Sequence, residues 1–349
     1  MRVVIIRNPR TTGGSKQRLA TWHRLGQALG LDMHEISLDF DPLAVVRSPR
    51  AVAALGAGRT VPEALSWPER KIRAELDDLA PDVVLLQTMR TYSDLVAAGP
   101  WVTVLDYVDR LSVSYRQRAG AAKKPSAAAF QLLAAFHQRA ERASAELPVR
   151  RVTAGRSGAG ALGIPWIPIL APPGVTSVDP PHQPEFDAVF FGSLNYPPNY
   201  EALRWLATTD GVEKLRILVT GSRAHPTVEP LCAEMGWCFE ADYADVRTLG
   251  ERAGVAVVPL VSAAGIQIKV LEAAANGIPQ VVTPMAMQGF DQAFPVEQAE
   301  GKADFAHLVA ALSKDHDRRE TLALRAKNHV DTNYQEQAWL DDVRRLFNI

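Results

Sequence analysis

Short apolar runs that alternate with helix-patterned segments restrict the fold of this chain more than any other feature. In the first half, four such runs are predicted as strands, at Arg2 to Ile6, Val83 to Leu86, Val102 to Leu105 and Val149 to Thr153. The helices predicted between them include Lys16 to Leu29, Glu69 to Leu79 and Pro125 to Ser144. This alternation favours βαβ units and a doubly wound parallel sheet. A second alternating series begins at Val189.

A proline-dense stretch from Ile164 to Pro184 separates the two series and predicts a linker. The length of 349 residues also favours two domains. We expect an N-terminal Rossmann-like domain over 1–170, a linker over 171–186 and a second Rossmann-like domain over 187–330. The segment 331–349 is expected to be a C-terminal helix, with Trp339, Leu340, Val343, Leu346 and Phe347 on one apolar face.

Composition and charge exclude several functional classes. A net charge of −1 argues against a nucleic-acid binder, and the first residues lack the apolar length of a signal peptide, which predicts a cytosolic protein. Cys232 and Cys238 are too few for a disulfide framework, and no His/Cys cluster indicates zinc. Asp39-Phe-Asp41 spells an Asp-x-Asp metal motif, but no third oxygen ligand is suggested nearby, and chance explains it better. We therefore predict neither a metal nor a cofactor.

Residues 265–284 predict a turn, a helix and a strand with two charges at the mouth of the unit. Lys269 and Glu272 lie three positions apart and are expected to be neighbours on the surface of the helix. The glycine-led start of that helix offers free backbone N–H groups and a positive dipole end to an anion. Asn276-Gly277 ends the helix, and 279–283 reads as the next strand. The pattern predicts a site for a diphosphate.

The order Lys-Val-Leu-Glu-Ala, 269–273, followed by Gly-Ile-Pro-Gln-Val-Val, 277–282, resembles the donor signature of GT-B-fold glycosyltransferases. The similar family is the large, mostly retaining one called glycosyl transferases group 1, and segments 187–199, 218–222 and 253–260 also resemble it. The resemblance is strong over 186–290 and weak in the first half. It implies two doubly wound Rossmann-like domains facing a cleft, with the C-terminal helix crossing back to the first domain. It also implies a hexosyltransferase that uses a UDP-, GDP- or dTDP-linked sugar. The excess of Arg over Lys, 29 to 9, and the abundance of Ala suggest a GC-rich bacterial genome.

By the same resemblance, Lys269 holds the leaving diphosphate and Glu272 the ribose hydroxyls. Two departures from the family pattern stand beside these matches. Ala264 occupies the position where many relatives place a first Glu, and 193–199 lacks their Arg and Lys, so retention and sugar identity stay open. The donor-binding residues implied are Gly192, Ser193, Asn195, Gly221, Ser222, Pro259, Gly265, Ile266, Lys269 and Glu272.

Two segments of the first domain are expected on the acceptor side, the first of them, loop 11–18, because the resemblance implies it. Loop 11–18 contains Gly13 and Gly14 and runs into a helix for which Ser15 is the expected N-cap; a plain strand-to-helix turn explains it equally well. Asp106, Asp109 and Arg110 follow a strand, where ligands of open α/β sheets gather. Asp109 is the better catalytic candidate, to orient or deprotonate an acceptor hydroxyl. Helix capping or pairing with Arg110 is the competing interpretation.

Segment 110–156 is strongly basic within a nearly neutral chain. The segment has ten Lys and Arg residues and only two acids. This excess of positive charge suggests a surface for an anionic acceptor or for anionic lipid headgroups on the inner membrane. A solvated helix face is the plainer alternative. The cations are Arg110, Arg116, Arg118, Lys123, Lys124, Arg139, Arg142, Arg150, Arg151 and Arg156, and the acids are Glu141 and Glu146.

Three functions fit these patterns. The first is a nucleotide-sugar-dependent glycosyltransferase acting on a small-molecule, glycan or lipid-linked acceptor. The second is a GT-B-fold epimerase or phosphorylase, and the third is a catalytically silent protein that binds sugar nucleotides. Ala264 and the missing basic pair keep the third open.

Overall fold

A computed structural model describes residues 1–8, 13–38, 49–121, 124–263 and 265–349. The chain forms two compact units, neither of which is continuous in sequence. The first comprises Met1–Leu170, Ala264–Ile266 and Glu336–Ile349, and the second comprises Ala171–Ala263 and Gln267–Gln335. Asp39-Phe-Asp41, Lys123 and Ala264 lie outside the described residues.

The first unit is built on a parallel sheet in the order β2-β1-β3-β4-β5. The strands are β1 Arg2–Arg7, β2 Asp32–Ser37, β3 Val83–Gln87, β4 Val102–Asp106 and β5 Arg150–Val152. The helices are α1 Gly13–Ala28, α2 Pro49–Gly56, α3 Glu69–Leu79, α4 Asp94–Ala97, α5 Leu111–Ala121, α6 Ser126–Ala143 and α7 Arg156–Leu162. Central strands β1 and β3 are buried almost throughout, as expected of a sheet covered on both faces.

The C-terminal segment completes the apolar core of the first unit. Its last helix follows the second unit in sequence, yet Val343 and Phe347 pack with Val3, Ile5 and Trp22 of the first unit in one cluster. The Phe347 and Trp22 rings stack with their centroids 5.8 Å apart. The first unit therefore draws part of its core from the end of the described chain.

The second unit carries a parallel sheet in the order β11-β10-β9-β6-β7-β8. The strands are β6 Phe186–Phe191, β7 Ile217–Gly221, β8 Cys238–Ala241, β9 Ala253–Val258, β10 Gln280–Val282 and β11 Glu297–Gln298. The helices are α8 Pro197–Ala207, α9 Val228–Met235, α10 Val246–Arg252, α11 Ile268–Ala275, α12 Lys302–Lys314 and α13 His316–Asn333. The last helix, α14 Leu340–Phe347, belongs to the first unit.

The predicted fold class, two α/β units with parallel sheets, is confirmed. One local expectation was wrong, because Ser15 is not an N-cap. Helix α1 already includes Gly13 and Gly14, so Ser15 lies within its first turn. Its carbonyl oxygen accepts a hydrogen bond from the Gln87 side chain, at 2.8 Å.

Candidate functional site

The carboxyl ends of β6, β7 and β9 form the part of the second unit where a ligand is expected. Chain order reverses between β6 and β9, and ligands of open α/β sheets bind beyond the strand ends at such a switch point. Gly192 follows β6 with φ +132°, and Gly221 ends β7 with φ +150°. A Cβ at Gly221 would overlap the Gly192 carbonyl oxygen. Both positions thus require glycine.

Lys269 lies in the first turn of α11, and its side chain points into the unit. The residue is only 8% exposed, so the expectation that Lys269 and Glu272 are neighbours on the helix surface was wrong for the lysine. Burial lowers the pKa of the Lys269 ammonium to about 7, a shift that the nearby Glu272 carboxylate opposes. Buried, weakly compensated cations of this kind concentrate at functional sites.

Asn199 and Phe190 supply the immediate surroundings of the ammonium. Lys269 Nζ donates a 2.9 Å hydrogen bond to Asn199 Oδ1 and lies 4.3 Å from the centre of the Phe190 ring. Asn199 Nδ2 donates in turn to the Ser193 carbonyl oxygen, at 2.8 Å. A Cβ at Gly192 would lie 3.4 Å from Lys269 Nζ and from Asn199 Nδ2. The lysine is therefore held directly beneath the glycine turn after β6.

Glu272, one turn further along α11, is half-buried. Burial raises the pKa of its carboxyl, and the Lys269 ammonium opposes that shift. Tyr243 lies close enough for the Glu272 charge to contribute to the rise of the tyrosine pKa to about 12, which is caused mainly by burial. Lys269, Glu272 and Tyr243 thus form one electrostatic group.

The remaining residues predicted to bind donor have different surroundings. Ser193, Asn195 and Ser222 are exposed, and the Ser222 carbonyl oxygen accepts a 2.9 Å bond from the Leu194 amide. Pro259 is buried at the end of β9. The structure thus places Gly192 next to Lys269 and links Ser193 to Lys269 through Asn199. Gly265 and Ile266 are grouped instead with the first unit.

Asp106 is an interior residue of the first unit. Its carboxylate is fully buried and paired with Arg18, Nε to Oδ2 at 2.6 Å. Trp22 Nε1 donates to the same oxygen at 2.7 Å, and the Val108 amide donates to Oδ1 at 3.0 Å. These bonds occupy the carboxylate, and the acceptor-side role predicted for Asp106 was therefore wrong.

Asp109 has a different environment three residues later. Burial, reinforced by the negative charge of Asp106, raises the pKa of its carboxyl to about 7, and Arg18 opposes the shift. Within the described ranges, no side chain or amide donates to its carboxylate, and α5 begins only at Leu111. Arg110 pairs with Glu141 instead, at 3.4 Å. Neither capping nor an Arg110 partner accounts for Asp109.

The turn that carries Asp109 is strained. Val108 has φ +56°, which is costly for a β-branched residue, and its carbonyl oxygen accepts from the Ala154 amide at 3.2 Å and from Thr153 Oγ1 at 3.3 Å. A Cβ at Gly265 would overlap the Asp109 carboxylate. Strain held in place by neighbouring hydrogen bonds is typical of functional turns.

Comparison with known proteins agrees with this geometry. Residues 200–345 match the family model described as Glycosyl transferase-like. The fold matches HepE of Anabaena, solved with UDP, at TM-score 0.64, 10% identity and 99% coverage of each chain. The chain therefore has the GT-B glycosyltransferase fold. A glycosyltransferase from Rickettsia africae matches at TM-score 0.66 and 9% identity, over 99% of this chain and 97% of that one. No curated protein sequence matches the chain.

Two features of the structure could not be predicted from the sequence. Asn199 stood inside a segment noted for its resemblance, but nothing in the sequence marked it as the partner of a lysine seventy positions later. Thr88 follows β3 with φ +75°, at the point where the strand order of the first sheet reverses between β1 and β3. Gly13 and Gly14 open the helix that follows β1, on the other side of that reversal.

The hairpin of α5 and α6 forms a basic surface on the first unit. Wherever its side chains are described, each exposed charge is positive: Arg116, Arg118, Lys124, Arg139 and Arg142. Its one acid, Glu141, is buried and accepts from Ser112 Oγ at 2.6 Å. Leu132, in contrast, is 60% exposed on α6.

Two kinds of feature are absent from the described ranges. No helix there has the length and apolarity to cross a bilayer. No three His, Cys, Asp or Glu side chains there lie together as a metal site would require.

Proposed function

We propose that the protein transfers a hexosyl group from a nucleoside-diphosphate sugar to an acceptor hydroxyl. The observation that carries this proposal is the buried Lys269 ammonium beneath the Gly192 turn, with a neutral amide oxygen as its hydrogen-bond acceptor. Such a cation favours an anionic ligand, and the positive end of the α11 dipole reinforces it. The HepE structures hold UDP, UDP with glucose, and UDP-glucose, and they support the same donor class here.

The chemistry follows from where charge develops. As the bond between the anomeric carbon and the phosphate oxygen breaks, negative charge grows on the diphosphate, and a preorganised cation there lowers the barrier. We propose that Lys269 is that cation and that it makes a metal unnecessary. In a retaining reaction, the acceptor hydroxyl attacks from the leaving-group side and its proton passes to the departing phosphate oxygen.

Asp109 is the residue we propose to orient the acceptor hydroxyl. A carboxyl whose pKa is raised to about 7 is partly ionised near neutrality, and its carboxylate can then accept a hydrogen bond from the acceptor hydroxyl and hold it in place. The acceptor class is a small molecule, a glycan or a lipid-linked sugar. A structure of TarM contains UDP and α-GlcNAc-glycerol, which supports a glycosidic product of this kind.

Nucleotide binding is the first test. Calorimetry with UDP, GDP and dTDP should find micromolar binding of one of them, and Lys269→Met should weaken it at least tenfold. Lys314→Met, which changes an exposed lysine of the same unit, is the matched control. Equal affinity of both variants would remove Lys269 from the donor site. Screening the corresponding nucleotide sugars by thermal shift then identifies the sugar.

Turnover separates the three functions. A glycosyltransferase releases nucleoside diphosphate only when acceptor is present, and removal of Lys269 should slow transfer by ~10²–10³. An epimerase or phosphorylase would act without that acceptor dependence. A silent binder would show nucleotide affinity and no turnover with any acceptor class.

We also propose that the protein is a cytoplasmic enzyme that docks on anionic membrane through the α5–α6 hairpin. From Ser126 to Gln138 the sequence holds no Asp, Glu, Lys or Arg, although Leu132 and several alanines there are exposed. Exposed apolar side chains flanked only by cations match an anionic bilayer interface.

Vesicle flotation tests the docking. Phosphatidylglycerol-containing vesicles should retain the wild type, and Leu132→Glu should release it. Leu324→Glu, an exposed leucine of the second unit, is the control. Equal binding to pure phosphatidylcholine, or retention of the Leu132 variant, would contradict the proposal.

A further inference from the structure

We propose that Asn199 is a positioning residue that sets both the place and the charge of Lys269, and thereby the anion affinity of the donor site. The effect on anion affinity rests on the proposed function, whereas the effect of Asn199 on the place and charge of Lys269 does not. The contacts that carry it join the start of α8 to the start of α11, entirely within the second unit.

The orientation of the Asn199 amide is fixed from two sides. Its Nδ2 donates to the Ser193 carbonyl oxygen at 2.8 Å, so its Oδ1 is the atom turned toward Lys269 Nζ, 2.9 Å away. Asn199 is 5% exposed, which leaves little water to substitute for either bond. A buried amide with both ends engaged holds its partner in a single place.

The choice of an amide matters because of charge. A carboxylate at this position would neutralise the ammonium and compete with an incoming diphosphate, whereas an apolar side chain would leave Nζ without an acceptor. The amide oxygen lies between these extremes. It orients the ammonium but leaves most of its charge uncompensated, and the Phe190 ring adds a weak cation–π attraction.

Two nearly isosteric variants separate positioning from simple packing. Asn199→Asp and Asn199→Leu both lose the hydrogen bond from Nδ2 to the Ser193 carbonyl oxygen, so any effect of losing that bond is the same in both variants. They differ at Lys269, where Asp adds a negative charge and Leu removes the acceptor. The Lys269 pKa should therefore rise by about 1–3 units in the Asp variant and fall in the Leu variant.

The titration is measured directly on the free protein. Lysine labelled with ¹³C at Cε reports each of the nine lysines by NMR, and Lys269→Met assigns the signal. Asn328→Asp, an exposed site on α13, controls for an added negative charge in the same unit. Shifts of opposite sign in the Asp and Leu variants support the inference. Shifts of the same sign, or none, overturn it.

Nucleotide binding supplies a second, independent readout. Near pH 8 the wild-type lysine, whose pKa lies near 7, is mostly neutral, so binding a diphosphate should draw in a proton. Calorimetry with UDP in two buffers of different ionisation enthalpy measures that uptake. The Asp variant should take up less proton and bind at least tenfold more weakly.

The two failures are distinguishable. If the wild type binds none of UDP, GDP and dTDP, the proposed function fails, and the NMR titration still decides the role of Asn199. If it binds and Lys269→Met abolishes binding, but both Asn199 variants keep wild-type titration and affinity, the inference alone fails.

Discussion

Replacing Asp106 by Asn should destabilise the first unit strongly, because the change leaves a buried guanidinium without its counter-charge. Arg18 and Asp106 are both 0% exposed, and in the variant Arg18 would still donate to the Ile167 and Pro168 carbonyl oxygens, at 2.6 and 2.9 Å. Removing one partner of a buried pair costs about 3–5 kcal/mol. For a unit of this size, the melting temperature should fall by roughly 6–20 °C.

Thermal unfolding followed by circular dichroism measures the loss, and hydrogen exchange assigns it to peptides of the first unit. Asp77→Asn is the matched control, since its pair with Arg73 is half-exposed and worth about 0.3–0.5 kcal/mol. Combining Asp106→Asn with Arg18→Met removes both charges, and the double variant should be more stable than Asp106→Asn alone. An Asp106→Asn protein that melts with the Asp77→Asn control would refute this account.

Three further outcomes follow from the structure. Because the Asp109 pKa is raised, the stability that this carboxyl contributes is complete below pH 4 and is lost as the pH rises through about 7. In chemical denaturation, Asp109→Asn should therefore be more stable than the wild type at pH 8 but not at pH 4. The same variant should lower acceptor-dependent transfer and leave donor binding unchanged. Gly221→Ala should reduce stability and nucleotide affinity more than Gly236→Ala does. Both glycines have positive φ, but of the two only Gly221 has no room for a Cβ. Equal melting curves of the two variants would contradict this. Glu272→Gln should weaken binding of the nucleoside diphosphate more than it slows turnover at saturating donor, and an unchanged dissociation constant would place the carboxylate away from the ribose.

The sequence predicted the two parallel sheets because buried strands and amphipathic helices leave strong periodic signals. It also placed Lys269 on the right helix. It could not show that the Lys269 side chain is buried, because the three-residue spacing from Glu272 does not indicate which other parts of the chain pack over that side of the helix. Asp106 misled for a related reason: an acid after a strand looks the same in sequence whether it faces solvent or a buried arginine. Long-range pairs such as Arg18 with Asp106 or Lys269 with Asn199 exist only in the folded chain.

The stacking of Phe347 on Trp22 also has a consequence for synthesis on the ribosome. The first unit begins at Met1, yet its core lacks Val343, Leu346 and Phe347 until the last helix has left the exit tunnel. Every residue of the second unit is translated before that moment. Domains usually mature in the order of their translation. Here we expect the order to be inverted, with the second unit acquiring its native core while the first waits, partly open, for its final helix.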